Sequence, residues 1–87
     1  MMTASTIDVL YFAWLRERAG LARERVETGA PTVAALIEEL RGRSEGHALA
    51  LSDLRAVRVA VDQRLAPLDA PLAGAREVAF FPPMTGG

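Results

Sequence analysis

The last eleven residues of the sequence, EVAFFPPMTGG, contain its clearest suggestion of chemistry. A strand-like segment runs into Pro82 and Pro83, and the sequence ends on Gly86 and Gly87. A Gly-Gly end alone is weak evidence, but here it follows directly on a predicted core strand. Glycine lacks a Cβ atom, which leaves the final carbonyl unhindered, and the prolines favour extended backbone. Six residues over 82–87 reach about 20 Å when extended, so the question is whether this tail is slack or a working part.

The side-chain inventory excludes most other covalent chemistry. Because the sequence has no cysteine, disulfides, thiolate metal sites and cysteine nucleophiles are excluded on this chain. All ten basic residues are arginine, so no lysine amine is present for Schiff-base chemistry. His47 is the sole histidine, which excludes a metal site built from several histidines. Its neighbourhood, SEGHALAL, is interpreted as a connector, which predicts an exposed or loosely packed side chain.

Length and charge limit the function classes further. The 87 residues fit one domain with a single core, and 51% of them are hydrophobic. Net charge is −1 without a basic stripe, so we expect no nucleic-acid partner. No apolar run reaches the roughly 18 residues needed to span a bilayer, so we expect no membrane association. The start, MMTASTID, lacks the pattern of a signal peptide, and a cytoplasmic location is expected.

Five segments have the composition of β-strands, and two have the pattern of helices. The predicted strands are 6–12, 23–28, 57–62, 64–68 and 77–81. The clearest helix begins at the capping residue Thr32, and its apolar residues have the spacing i, i+3, i+4, i+7: Val33, Leu36, Ile37 and Leu40. A shorter helix or turn over 13–20 is expected to stop at Gly20.

The connections follow from glycine and turn residues. Gly42 and Gly46 are predicted to mark the end of the main helix and the loop after it. A further short helix is possible over 48–54. Asp62 and Gln63 are predicted to form the turn between two antiparallel strands.

The element order β, short α, β, α, β, β, β predicts an α+β domain: a mixed sheet with one principal helix packed on one face. The domain is predicted over 1–81, with the flexible tail over 82–87. In the last strand, Val78 and Phe80 are expected to face the helix, and Glu77, Ala79 and Phe81 the opposite side. An exposed aromatic such as Phe81 is typical of a partner surface, although a loop that covers it is an alternative.

Over nearly its whole length, the sequence resembles the small, sulfur-carrying subunits of molybdopterin synthase. The resemblance rests on VLYFAWLRERAG, TVAALIEELRGR, VAVDQRLAPLDAPL and, most specifically, EVAFFPPMTGG. Two departures are Asp62, where the family usually has Asn, and GAR over 74–76. The resemblance implies a ubiquitin-like β-grasp fold.

The resemblance also implies a reaction at the C-terminus. In the family, ATP converts the terminal carboxylate, here that of Gly87, to an acyl-adenylate on a separate activating enzyme. Sulfur then replaces one oxygen, and the thiocarboxylate donates sulfur to cyclic pyranopterin monophosphate. The acid–base and substrate-binding groups belong to the large subunit, and two large and two small subunits assemble. This chain is expected to bind neither a cofactor nor a metal, since ATP is used by the activating enzyme.

The resemblance assigns residues to partner binding and to the inserted tail. Phe81 and Leu65 match family positions that face the partner. Arg16 matches as well, although a solvated side chain or an intramolecular ion pair is an alternative. The inserted residues are Pro82, Pro83, Met84, Thr85, Gly86 and Gly87.

Two other functions remain open on the sequence. The first is a sulfur carrier for thiamine, tRNA thiolation or cysteine synthesis, which use the same terminal chemistry. The second is a ubiquitin-like modifier, in which Gly87 forms isopeptide bonds, or a passive adaptor. Binding to a pterin-synthase large subunit distinguishes the first, and covalent adducts on target lysines distinguish the second.

Overall fold

The computed structural model describes residues 5–83 as one sheet with helices on one face. The elements are β1 (Ser5–Tyr11), α1 (Ala13–Ala19), β2 (Arg23–Thr28), α2 (Val33–Arg41), α3 (Glu45–Ala50), a 3₁₀ turn (Leu54–Ala56), β3 (Arg58–Val61), β4 (Arg64–Ala66) and β5 (Glu77–Phe81). Within this part of the chain, no helix has the length and apolar character needed to cross a membrane.

The five strands form a mixed sheet in the order β2-β1-β5-β3-β4. Strands β1 and β5 are parallel, whereas the other neighbouring pairs are antiparallel. The predicted α+β class is therefore confirmed. Because Tyr11 pairs with Phe80, β1 and β5 end at the same edge of the sheet. We call this edge the tail end, since Pro82 and Pro83 follow β5 there.

The hydrophobic core lies between the sheet and the helices. The inward residues of β1 are the predicted ones, and Val78 and Phe80 of β5 join them in the same buried cluster. The four predicted apolar residues of α2 are all buried. The Thr32 Oγ1 atom accepts the Ala35 N–H at 3.2 Å, which confirms the predicted cap. Gly20 ends α1 at a φ of 88°, a left-handed conformation that suits glycine.

Gly42 ends α2 as predicted, and α3 overlaps the short helix expected over 48–54, but the loop predicted at Gly46 and the exposed His47 are wrong. Gly46 and His47 belong to α3, which begins at Glu45, and His47 is buried with only 6% of its surface exposed. Ser44 starts this helix, because its Oγ atom accepts the His47 N–H at 3.1 Å. A Cβ atom on Gly46 would lie 2.5 Å from the Arg18 carbonyl oxygen. Glycine is therefore needed where α3 lies against the end of α1, not to form a loop.

The opposite face of the sheet, which we call the open face, also departs from expectation at one position. Ala79 faces this side as predicted, yet it is buried, with 7% of its surface exposed. Its small side chain lies in the central strand between the register partners Leu10 and Ala60. Its neighbouring strands thus shield it.

The predicted turn between β3 and β4 is confirmed. Asp62 and Gln63 have φ angles of 49° and 69°, the left-handed values of a tight hairpin turn. The Asp62 Oδ1 atom also accepts the N–H groups of Arg76 and Glu77, at 2.9 and 3.0 Å. The turn therefore holds the start of β5 in place.

Candidate functional site

The C-terminal tail leaves the domain from the central strand of the sheet. Phe80 is fully buried, and its ring stacks on that of Tyr11 with 5.9 Å between centroids. Phe81, Pro82 and Pro83 are half-buried. The root of the tail is thus held by β1 on one side and β3 on the other. The predicted site residues Met84, Thr85, Gly86 and Gly87 lie outside the described residues.

The open face carries an apolar surface near the tail end. Leu10, Ala79, Ala60 and Leu65 lie side by side across four strands, one residue from each. Leu65 is 77% exposed. Phe81 lies two residues beyond Ala79 on the same face, so the structure brings the two predicted contact residues, Leu65 and Phe81, onto one surface. We call this surface the open-face patch; it comprises Leu10, Phe12, Ala60, Leu65, Ala79 and Phe81.

Phe12 belongs to this surface, although the sequence analysis gave it no role. Its side chain is 47% exposed, and its N–H donates to the Phe80 carbonyl oxygen at 3.1 Å. The hydrogen bond continues the pairing of β1 with β5 by one residue. Since Tyr11 faces the core, Phe12 falls on the open face at the tail end. The alternation Ile7, Val9, Tyr11 contained this signal, because the next residue must face outward.

The third predicted contact residue, Arg16, lies elsewhere. It is exposed on α1, the helix that begins just after Phe12, and so it is near the tail end but not on the sheet. Arg16 forms no ion pair with any residue between 5 and 83. The alternative of an intramolecular ion pair therefore has no support from the described part of the chain.

Arg58 is a charged residue at the root of the tail that the sequence analysis did not assign to the site. It is exposed on β3, directly in register with Phe81. Its Nη1 atom contacts the Val57 carbonyl oxygen at 3.4 Å. Because the assignment depends on the pairing of β3 with β5, no local sequence signal could have identified it.

A buried polar cluster supports the tail strand from inside. The Glu24 Oε2 atom accepts hydrogen bonds from the Tyr11 hydroxyl at 2.8 Å and from His47 Nε2 at 2.7 Å. Ser44 Oγ lies 2.7 Å from His47 Nδ1, and Arg43 Nε lies 3.4 Å from Glu24 Oε1. Among the described residues, no buried side-chain nitrogen or oxygen lacks a hydrogen-bond partner, as stable burial requires. Through Tyr11, the cluster fixes the ring on which Phe80 stacks.

The cluster shifts the acid–base behaviour of two of its members. Burial and the hydrogen bond to Glu24 raise the pKa of the Tyr11 hydroxyl far above its ordinary value. Burial alone raises the pKa of the Glu24 carboxyl, but the hydrogen bonds from His47 and Tyr11 and the nearby positive charge outweigh it. The pKa of Glu24 is therefore lower than its ordinary value, and its carboxylate stays ionised at neutral pH. We interpret the cluster as structural, because it lies in the core.

The described residues offer little for catalysis near the tail. No group of three or more His, Asp or Glu residues between 5 and 83 has a geometry that holds a metal ion. A shallow cleft lies at the far end of β1, lined by uncharged residues that include Ser5, Thr28 and Leu72. The open-face patch, with the exposed Phe12 and Leu65, is the apolar surface next to the root of the tail.

Known proteins match this chain over nearly its whole length. The ThiS family matches residues 9–87. The molybdopterin synthase sulfur carrier subunit of Escherichia coli (strain K12) is 46% identical over 81 residues, which cover 93% of this chain and 99% of that protein. The subunit of the same name from Haemophilus influenzae is 38% identical with the same coverage. The crystal structure of SAMP1 from Haloferax volcanii has a TM-score of 0.73 at 28% identity, and covers 95% of this chain and all of that one.

Proposed function

Since the chain belongs to the ThiS family, with a ubiquitin-like β-grasp fold, we propose that it is the sulfur carrier subunit of a molybdopterin synthase. The observation that carries the proposal is the relationship to two such subunits over 93% of the chain. The family match also extends through Gly87, the residue on which the chemistry would occur.

The proposed reaction begins with activation of the Gly87 carboxylate. A carboxylate is a poor acceptor because it is anionic and has no good leaving group. Its oxygen attacks the α-phosphorus of ATP on an activating enzyme, pyrophosphate leaves, and an acyl-adenylate forms. A sulfur nucleophile then displaces AMP and leaves a thiocarboxylate, which is itself an anionic nucleophile. In the second partner, the thiocarboxylate sulfur attacks a carbon of cyclic pyranopterin monophosphate and displaces an oxygen from it. Water then hydrolyses the resulting thioester, which leaves the sulfur on the pterin and regenerates the Gly87 carboxylate.

In this proposal, the folded domain fixes the direction in which the tail extends. β5 is paired on both sides, so the position of Phe81 is fixed relative to the sheet. Pro82 and Pro83 then continue in an extended conformation, because the proline ring restricts their φ angles. The open-face patch docks on the large subunit, and burial of the terminus there protects the reactive acyl groups from water. We propose an assembly of two large and two small subunits, with ATP bound only by the activating enzyme.

The terminal residue gives the sharpest test. Intact-protein mass spectrometry of the natively purified chain is expected to reveal a fraction with one oxygen replaced by sulfur, mapped to the C-terminal peptide. Deletion of Gly87, or addition of one residue after it, should abolish sulfur transfer and leave the melting temperature unchanged. A tail-extended variant with wild-type activity would contradict the proposal. Because activation consumes ATP, we also propose a cytoplasmic location, which cell fractionation tests.

One comparison favours a second function. SAMP1 is a small archaeal modifier protein by name, and it has the same fold. A modifier of this kind would join Gly87 to lysine side chains of other proteins. Incubation with ATP and the activating enzyme distinguishes the two functions: a carrier yields a thiocarboxylate, whereas a modifier yields covalent adducts of higher mass. A carrier for another pathway would form the thiocarboxylate but would fail to bind the synthase large subunit.

A further inference from the structure

Arg58 is a cation next to the most exposed aromatic of the tail strand. It pairs in register with Phe81, and Ala60 of the open-face patch follows two residues later on the same face. Within the described range, no carboxylate oxygen lies within 4.0 Å of the Arg58 guanidinium. The charge is therefore exposed to solvent at the edge of an apolar surface.

Arg58 differs from the arginines farther from the tail on the open face, which form ion pairs. Among residues 5–83, five of the ten form ion pairs: Arg23 and Arg25 with Asp8, Arg41 with Glu38, Arg43 with Glu24, and Arg55 with Asp53. The open face is thus divided. Away from the tail end, Arg23 and Arg25 pair with Asp8, whereas at the tail end Arg58 has no carboxylate partner among residues 5–83.

Docking through the open-face patch changes the surroundings of this charge. When Phe81 is covered by another protein, water is also removed from the adjacent guanidinium. A desolvated charge is costly unless an opposite charge replaces the lost hydration. A partner surface with a carboxylate opposite Arg58 therefore binds tightly, whereas a surface that is apolar or basic at that point binds weakly.

The tail itself is a poor source of such selectivity. Its last two residues, Gly86 and Gly87, have no side chains, so one tail fits any channel built for a glycine terminus. Discrimination between partners must therefore come from the folded body, through contacts that the wrong partner fails to satisfy. Arg58 is well placed for this, because it lies one strand away from the root of the tail.

We infer that Arg58 is a specificity-determining residue that pairs with a carboxylate on the synthase large subunit, beside the site that receives Phe81. The inference rests on the proposed function and adds a requirement on the partner: an acidic residue at the rim of an apolar docking site. Arg58 acts on partner recognition and takes no part in the sulfur-transfer step.

The experiment compares Arg58→Glu and Arg58→Gln with a matched control, Arg76→Glu. Arg76 is exposed and precedes Phe81 by five residues, about 16 Å along an extended strand. Arg76→Glu therefore changes the net charge by the same amount as Arg58→Glu, but at a site far from the patch. Binding of each variant to the purified large subunit is measured by calorimetry at low and physiological salt. Thiocarboxylated forms are then assayed to separate KM from kcat, and melting temperatures check folding.

We expect Arg58→Glu to weaken binding by about 30-fold or more and Arg58→Gln by about 5-fold, because reversal adds repulsion to lost pairing. KM should rise in parallel while kcat stays within about twofold of wild type, and Arg76→Glu should bind within about twofold. A substitution of one acidic residue on the large subunit by arginine should restore binding to Arg58→Glu.

Two results would overturn the inference alone. The first is wild-type affinity of Arg58→Glu for the large subunit. The second is an equal loss of affinity in Arg76→Glu, which would indicate only a general effect of net charge. If wild-type carrier fails to bind the large subunit, the proposed function is overturned and this inference with it. The wild-type control thus separates failure of the function from failure of the role given to Arg58.

Discussion

The imidazole Nε2 atom of His47 lies 2.7 Å from the Oε2 atom of Glu24, and this contact joins α3 to β2 inside the fold. The same Glu24 oxygen accepts the Tyr11 hydroxyl, and the Tyr11 ring stacks on Phe80 of the tail strand. A chain of contacts therefore runs from a short helix to the strand that carries the C-terminus. Its strength should be visible in the stability of the domain.

Glu24→Gln should lower the free energy of unfolding at pH 7 by about 1–2 kcal/mol, since it weakens charge-assisted hydrogen bonds in a buried cluster. The pKa of Glu24 is lower in the folded chain than its ordinary value. Such a group adds stability above its unfolded pKa, about 4.3, and this stability is lost as pH falls through the folded pKa. Urea denaturation between pH 7 and acidic pH measures both effects.

The matched control for this pH effect is Glu38→Gln. Glu38 pairs with Arg41 on the exposed side of α2, so its removal should cost about 0.5 kcal/mol or less. Wild type and Glu38→Gln should both lose stability below about pH 4.5, whereas the loss in Glu24→Gln should be shallower. Equal acid sensitivity in all three proteins would show that the buried cluster does not depend on an ionised Glu24.

Gly46→Ala should destabilise the domain by about 1–3 kcal/mol, because the new Cβ atom would clash with a backbone oxygen. The built Cβ lies 2.5 Å from the Arg18 oxygen. Gly42→Ala is the control: its Cβ would lie 3.5 Å from the Glu39 oxygen, an ordinary contact. This control should be neutral or more stable than wild type in chemical denaturation. If both variants unfold at the same urea concentration, the close packing of α1 on α3 is not as described.

Gln63→Gly should stabilise the domain by up to about 1 kcal/mol, since Gln63 holds a left-handed conformation that favours glycine. Its φ is 69°, in the turn between β3 and β4. Asp62 is kept, because its carboxylate accepts two N–H groups at the start of β5. Gln63→Val should have the opposite effect, as a branched side chain is disfavoured there. The order of melting temperatures, Gly above Gln above Val, checks the prediction.

The parts of the fold that sequence predicted are those whose signals are local. Thr32 and the spacing of apolar residues after it define α2, and the alternation around Val9 defines β1. Both predictions are confirmed because the apolar residues of each element lie on its buried face, as the pattern indicates. The turn at Asp62 was likewise predictable from turn chemistry.

The parts that sequence missed depend on contacts between distant residues. Gly46 has the composition of a loop residue, and only the approach of the Arg18 carbonyl explains it. His47 is buried because Glu24, 23 residues earlier, provides its partner. Arg58 lies next to Phe81 only because β3 pairs with β5 across the sheet. Such relationships require the topology, which periodicity does not contain.

The two adjacent phenylalanines of β5 should separate stability from binding. Phe80 is fully buried, so Phe80→Ala should cost about 3–5 kcal/mol of unfolding free energy. Phe81 is half-buried on the open face, so Phe81→Ala should cost about 1 kcal/mol or less. In the proposed complex, however, Phe81 is an anchor, and its loss should weaken binding to the large subunit by about 30-fold or more.

Thermal denaturation and calorimetric titration of both variants test this division of roles between adjacent residues of one strand. Leu65→Ala extends it, because Leu65 is 77% exposed and lies on the same patch. It should leave the melting temperature unchanged and weaken binding to the large subunit. If Phe81→Ala and Leu65→Ala both bind with wild-type affinity, the open-face patch is not the docking surface, and the contact must be sought at α1 around Arg16, the other predicted contact residue at the tail end.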